Sequence, residues 1–165
     1  MAPRILLGII IVVLIFATHQ RNYVWQDDIT LWKDVVAKSP NKARAHNNLG
    51  RAYGAMWIED KAIKEYLKAI AIDPNYGLSY ENLAVSYGRL GRKDMTIFYY
   101  KKALELIPWH TPLYYNFGFY LYSQGDYMDA YILFRRYIQL DPLGSNVPFT
   151  LTLLDLMEKN GQIKP

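Results

Sequence analysis

The chain has 165 residues, enough for one compact domain or one short array of repeats, and 52% of them are hydrophobic, ample for a core. Cysteine is absent, which excludes a disulfide framework and a thiolate metal site. The formal net charge of +4 is spread along the chain without a block of like charges; the expectation is a solvated convex face and no nucleic-acid partner, with a basic surface for RNA or anionic lipid as the weaker alternative.

Residues 1–20 form the first segment. Ile5 to Ala17 reads ILLGIIIVVLIFA, unbroken by charge. As a helix this run spans about 20 Å, short of the roughly 30 Å of a bilayer core, but Ala2, Pro3 and Thr18 extend it and Arg4 can snorkel. Three readings stay open: an uncleaved membrane anchor through residues 4–18, a cleaved signal peptide, and a helix buried in a soluble core. The anchor is the expectation. No clean small-x-small cleavage site stands near Ala17-Thr18-His19, and hydrophobicity all round does not suit a surface helix. Charge does not fix its direction: Arg4 and the amino terminus precede the run, and Arg21 and Lys33 follow it.

Residues 21–42 read RNYVWQDDITLWKDVVAKSPNK. Asp27 or Asp28 can cap a helix running to about Lys38, with Ile29, Trp32, Val35 and Val36 as its apolar stripe. Helix capping accounts for the acidic pair better than metal or acid–base chemistry does.

Three stretches then repeat one pattern: 43–76, 77–110 and 111–144. Leu49, Leu83 and Phe117 stand 34 residues apart, and so do Pro74, Pro108 and Pro142. In each stretch residues four, seven, eight and eleven share one helical face, as His46, Leu49, Gly50 and Tyr53 do in the first. The eighth is always small (Gly50, Ala84, Gly118), so a second helix can approach closely, bringing Ala62, Thr96 or Ala130 to the matching place. Gly91 and Gly125 suit left-handed helix ends. Thr111-Pro112 reads as an N-cap followed by Pro at the first helical position. The three prolines close the second helices, and Pro40 falls on the same phase, so residues 21–42 supply the second helix of a partial repeat.

Leu49-Gly50, Tyr53, Ala62, Tyr66, Ala69 and Pro74 at these spacings resemble the tetratricopeptide repeat. His46 stands where that family usually has Trp; Tyr80 and Tyr114 fill the place later. The resemblance covers about residues 22–160. It implies an all-α fold, a right-handed α-α superhelix of about three helix pairs, flanked by the half repeat and a capping helix.

Residues two, six, nine and thirteen of each first helix point away from its partner, toward the concave side of such a stack. Asn48, Asn82 and Asn116 recur there, and each amide offers a donor and an acceptor to the backbone of an extended peptide. The competing reading is that these amides are solvated or bond a neighbouring helix. Arg44, Arg51 and Arg89 make part of the floor basic, suited to a peptide carboxylate. Tyr115, Phe119 and Tyr122 make the third unit aromatic, suited to apolar side chains, unless they pack on the next helix. Residues 145–165 hold the capping helix and tail. The helix runs from Val147 to about Lys159 with Leu151, Leu154 and Met157 on its apolar side, and Gly161 to Pro165 are expected to fray. Tyr137 stands where Ala69 and Ala103 are small, so the last interface should pack differently.

His19, His46 and His110 are far apart in phase, no Gly-rich phosphate loop occurs, and no Ser/His/Asp set shares a face. The expectation is a protein that is not an enzyme and carries no cofactor or metal: a membrane-anchored scaffold that binds a protein or peptide partner. The apolar span followed by Arg21-Asn22, Trp25, Leu31-Trp32, Asp34, Lys38-Ser39-Pro40-Asn41 and Ala43-Arg44-Ala45-His46-Asn47-Asn48 is similar to a second family feature. Polytopic membrane glycosyltransferases pass in this way from their last span into C-terminal repeats. That resemblance implies a bacterial inner-membrane location with extracytoplasmic repeats. It also carries an alternative role, an accessory or detached region that presents protein substrate to a transferase. The rest of such a membrane domain is not in this sequence.

Overall fold

The computed structural model describes residue 14 and residues 27–163. Between 27 and 163 there are eight α-helices and no strand. They are α1 (Asp28–Lys38), α2 (Ala43–Ala55), α3 (Glu59–Ile72), α4 (Gly77–Arg89), α5 (Lys93–Leu106), α6 (Thr111–Ser123), α7 (Tyr127–Leu140) and α8 (Val147–Lys159). The expected hydrophobic helix over residues 1–20 lies outside the described residues, Leu14 aside. Among the described residues no helix is long and apolar enough to cross a membrane.

The chain divides into two compact units between Ile72 and Asp73. The first contains α1 packed on α2 and the hairpin α2–α3. Asp27 caps α1: its carboxylate accepts from the backbone N–H of Thr30 at 2.8 Å. In the hairpin, Gly50 is the point of closest approach. A Cβ placed there would lie 2.5 Å from the ring of Tyr66 and 3.1 Å from the carbonyl of Ala62. Ala62 and Ala69 are fully buried on the facing side of α3. The absence of a side chain at position 50 is what lets the Tyr66 ring lie against the α2 backbone.

The second unit contains the hairpins α4–α5 and α6–α7 and the closing helix α8. Ala84 and Gly118 repeat the role of Gly50, opposite Tyr100 and Phe134. Tyr100 stacks on Phe117 of the next hairpin, with ring centroids 4.7 Å apart, and so carries the core from one repeat to the next. Gly91 (φ +69°) and Gly125 (φ +81°) take the left-handed conformation expected between the two helices of a repeat.

Three local expectations are corrected. His110, not Thr111, occupies the cap position of α6, and its ring makes no capping bond. On α8 Leu154 and Met157 are buried as expected, together with Val147, Thr150 and Leu153, whereas Leu151 is exposed; the inward stripe is rotated by a small fraction of a turn from the one expected. Ile163 is 4% exposed within the second unit's core, because Gly161 (φ +64°) turns the chain back after α8. The tail therefore packs instead of fraying as far as residue 163. Tyr137 does change the last interface. Its hydroxyl occupies the space a side chain at Gly144 would need, and the residue packs with Tyr114 and Val147.

Candidate functional site

The second unit carries an open cleft of about 560 Å³, in the range of ligand pockets. Its walls are α4, through Ala84, Val85, Gly88 and Arg89, and α6, through Tyr115, Asn116, Phe119, Tyr120 and Ser123; Tyr100 of α5 forms part of the floor. The i, i+3/i+4 rhythm of the first helices puts these side chains on one side. Val85 and Arg89 lie one turn apart on α4, and Asn116, Phe119 and Ser123 follow the same spacing on α6.

Tyr115 and Phe119 stack with centroids 6.2 Å apart, and Phe119 leans on Phe149 of α8 at 6.4 Å while staying 44% exposed. Tyr115 is braced from below by Tyr137 at 5.6 Å. These contacts hold two aromatic faces at the cleft without a polar chain to order. Burial pushes the Tyr115 hydroxyl upward, and does so more strongly for Tyr100, so both stay neutral at ordinary pH.

A buried carboxylate sets the polar part. Glu81, 6% exposed, accepts a hydrogen bond from the Asn116 amide Nδ2 at 2.9 Å, and its second oxygen lies 3.3 Å from Nε2 of His110. Burial raises its carboxyl above the ordinary value, and the bond from Asn116 and the charge of His110 only partly offset this. This bond fixes the orientation of the Asn116 side chain. One amide N–H is committed to Glu81, while the second N–H and the carbonyl are further valences that a ligand can use. Arg89, exposed at the rim, supplies a positive charge.

The first unit has a smaller hollow of about 270 Å³, lined by Asp28 and Trp32 of α1 and by Asn48, Arg51, Ala52 and Ala55 of α2. Asn48 accepts from the Asn47 amide at 3.5 Å.

Among the residues expected from sequence, Arg89, Tyr115, Asn116 and Phe119 come together in the larger cleft, and Asn48 and Arg51 in the smaller hollow. Asn82 is half-buried on α4 and lines neither, and Arg44 is exposed outside both. Tyr122 turns the other way and packs edge-on against Tyr127, 5.5 Å between centroids. Val85, Gly88, Tyr120 and Ser123 were not singled out. Val85 and Ser123 lie on the phase of residues nine and thirteen, and so were within reach of the same periodicity. Gly88 and Tyr120 lie off it; a Cβ at Gly88 would make only ordinary contact with the Tyr120 ring, at 3.4 Å.

Comparison with known proteins agrees with the period. A model described as TPR repeat matches residues 60–91, and one described as Tetratricopeptide repeat matches residues 78–108. No curated protein matches the sequence. Among solved structures, a crystal structure of MamA superposes with a TM-score of 0.68 at 22% identity, covering 81% of this chain and 77% of that one. The first TPR of Spaghetti (RPAP3) bound to the HSP90 peptide SRMEEVD gives 0.64 at 23%, covering 70% and 91%. The Arabidopsis OM64 TPR domain gives 0.64 at 20%, covering 69% and 94%. The two repeat models together cover residues 60–108, and the helical hairpins have the same fold as these structures, so the chain carries tetratricopeptide repeats over that stretch.

Proposed function

We propose that the protein is a membrane-anchored interaction scaffold that holds an extended peptide segment of a partner protein. The observation that carries this reading is the cleft between α4 and α6, where stacked Tyr115 and Phe119 stand beside an Asn116 amide already oriented by Glu81, with Arg89 at the rim. An apolar side chain fits the rings, a peptide group fits the amide, and a carboxylate fits Arg89. Asn82 is proposed to extend the contact on α4. In the first unit Arg44, Asn48 and Arg51 offer the same donor types, with Asn48 and Arg51 at the smaller hollow. Tyr122 is left to packing. One structural neighbour is described with a bound peptide, the HSP90 peptide SRMEEVD on the first TPR of Spaghetti. The anchor is proposed from the uncharged run Ile5 to Ala17, with the repeats on the extracytoplasmic side.

The test is peptide display against the full chain held in detergent micelles, followed by affinity measurement on the selected sequences. Replacing Asn82 and Asn116 together by Ala is expected to weaken binding; affinities that do not change would overturn the assignment of the amides. A second reading rests on the junction from Arg21 to Asn48: a substrate-presenting region beside a membrane glycosyltransferase. An adjacent reading frame encoding further membrane spans would favour it.

A further inference from the structure

The turn between α2 and α3 departs from the two turns that correspond to it. The corresponding triads are Met56-Trp57-Ile58, Leu90-Gly91-Arg92 and Gln124-Gly125-Asp126. All three close with the same backbone bond to the eleventh residue of the repeat: Ile58 N to Tyr53 O at 3.0 Å, Arg92 N to Tyr87 O at 2.9 Å, and Asp126 N to Leu121 O at 3.0 Å. The middle residue is left-handed in each, glycine in two and tryptophan in the first, with φ +59°. A bulky side chain resists that conformation, and this one is not compensated by burial: Trp57 is 72% exposed. Its neighbours are apolar and open too, Met56 at 64% and Ile58 at 37%. Glycine serves at this place in the other two turns.

The position of this tip decides between its uses. α1 and α2 are joined by a short turn at residues 39–42 and pack side by side, so the end of α2 lies beside the beginning of α1. The small hollow shows it directly: Asp28 and Trp32 from the start of α1 share it with Arg51, Ala52 and Ala55 from the end of α2. The Met-Trp-Ile tip thus stands at the end of the first unit where the chain arrives from the apolar run at Ile5 to Ala17. Residues 18–27, fully extended, span at most about 35 Å. Exposed Arg51 and Lys61 flank the tip against exposed Asp60 and, at the start of α1, exposed Asp27 and Asp28, so this end has no excess of positive charge and its fit to a bilayer rests on its apolar side chains. Three residues at one turn are too few for the roughly 800 Å² per partner of a stable protein interface. Tryptophan, by contrast, is favoured at the level of lipid headgroups, with its apolar ring down and its N–H wet.

We infer that the Met56-Trp57-Ile58 tip inserts into the headgroup region of the bilayer that anchors the chain, a second contact that orients the first unit end-on to the membrane. This rests on the anchor reading above for residues 4–18. The full chain has no cysteine, so single cysteines can report on each end of the first unit. Trp57→Cys and Asn41→Cys, the latter exposed in the α1–α2 turn about 20 Å away along α2, are each labelled with an environment-sensitive fluorophore. The proteins are reconstituted into vesicles of phosphatidylcholine and phosphatidylglycerol with and without headgroup-nitroxide lipid. The expected result is quenching at least about threefold stronger at position 57 than at 41, with a blue-shifted emission at 57. Equal quenching at both positions in protein that floats with the vesicles overturns the tip contact and leaves the anchor standing. Protein that does not float with vesicles overturns the anchor and the tip contact together. Shielding of the label at 57 that rises with protein concentration in micelles, without lipid quenching, assigns the tip to a second copy of the chain and overturns the proposal.

Discussion

His46 reaches back six residues and holds the carbonyl oxygen of Pro40 at 2.9 Å through Nε2. Tyr80 and Tyr114 do the same to Pro74 and Pro108, at 3.0 and 2.8 Å. The fourth residue of each repeat thus ties its first helix to the proline that closes the helix before it. Histidine adds something tyrosine does not. A carbonyl only accepts, so Nε2 carries a proton, and Nδ1 meets the Glu65 carboxylate at 2.6 Å. The two side chains are both buried, and Lys68 holds the other Glu65 oxygen at 2.7 Å.

His46→Tyr keeps the bond to Pro40 and leaves Glu65 with Lys68, so it is expected to cost no more than about 1 kcal/mol. His46→Leu loses both bonds and is expected to cost roughly 2–4 kcal/mol. Chemical denaturation of the two variants checks the order; equal losses would show that the histidine only fills space.

The same substitution has opposite effects at two glycines. Gly50→Ala drives a methyl into the Tyr66 ring at 2.5 Å, and a 3% exposed ring cannot swing away, so a loss of roughly 1–3 kcal/mol is expected. Gly88→Ala meets only ordinary contacts from 3.4 Å and gains about 0.5–1 kcal/mol of helix propensity. Thermal melts of the two variants should move in opposite directions from the wild type.

Trp57→Gly removes an indole from a left-handed position that costs an L-residue about 1–2 kcal/mol, offset in part by the backbone entropy of glycine. A net stabilisation of about 1 kcal/mol or less is expected in denaturant, together with weaker lipid contact. A destabilised variant would mean that the indole supports the fold.

Glu81 and Glu65 respond oppositely to acid. Burial raises the Glu81 carboxyl, so the folded state binds its proton more tightly than the unfolded one. Its cost is full at neutral pH and is relieved as the pH falls through the raised value toward 4.5. Burial also pushes Glu65 up, but the bonds from Lys68 and His46 outweigh it and leave that carboxyl lowered. Its contribution is present above 4.5 and lost as the pH falls through the lowered value. Glu81→Gln is therefore expected to be more stable than the wild type at neutral pH, with the difference shrinking toward pH 4.5. A difference independent of pH would contradict the burial of that charge.

Much of this was legible in the sequence because a repeat samples each position several times. The 34-residue interval placed the hairpins, the small crossing residues and the left-handed glycines, and the phase of residues six, nine and thirteen pointed at Asn116, Phe119 and Arg89. What escaped was what the repeats do not share. Tyr122 occupies the place of Gly54 and Gly88; packing on the next helix was one of its two readings, and period alone did not choose that reading, in which its ring meets Tyr127. Glu81 lies one residue before Asn82, and only packing shows that it is buried and bonded to the next repeat's Asn116. Ile163 follows the last helix, where no later repeat repeats the pattern.

The most direct test is the affinity of one display-selected peptide for three full-length proteins: wild type, Phe119→Ala and Met128→Ser, the last an exposed change on α7 away from the cleft. A peptide held between α4 and α6 loses roughly tenfold or more with Phe119→Ala and nothing with Met128→Ser. A Phe119→Ala protein that binds as tightly as the wild type would show that the cleft is not where the peptide sits.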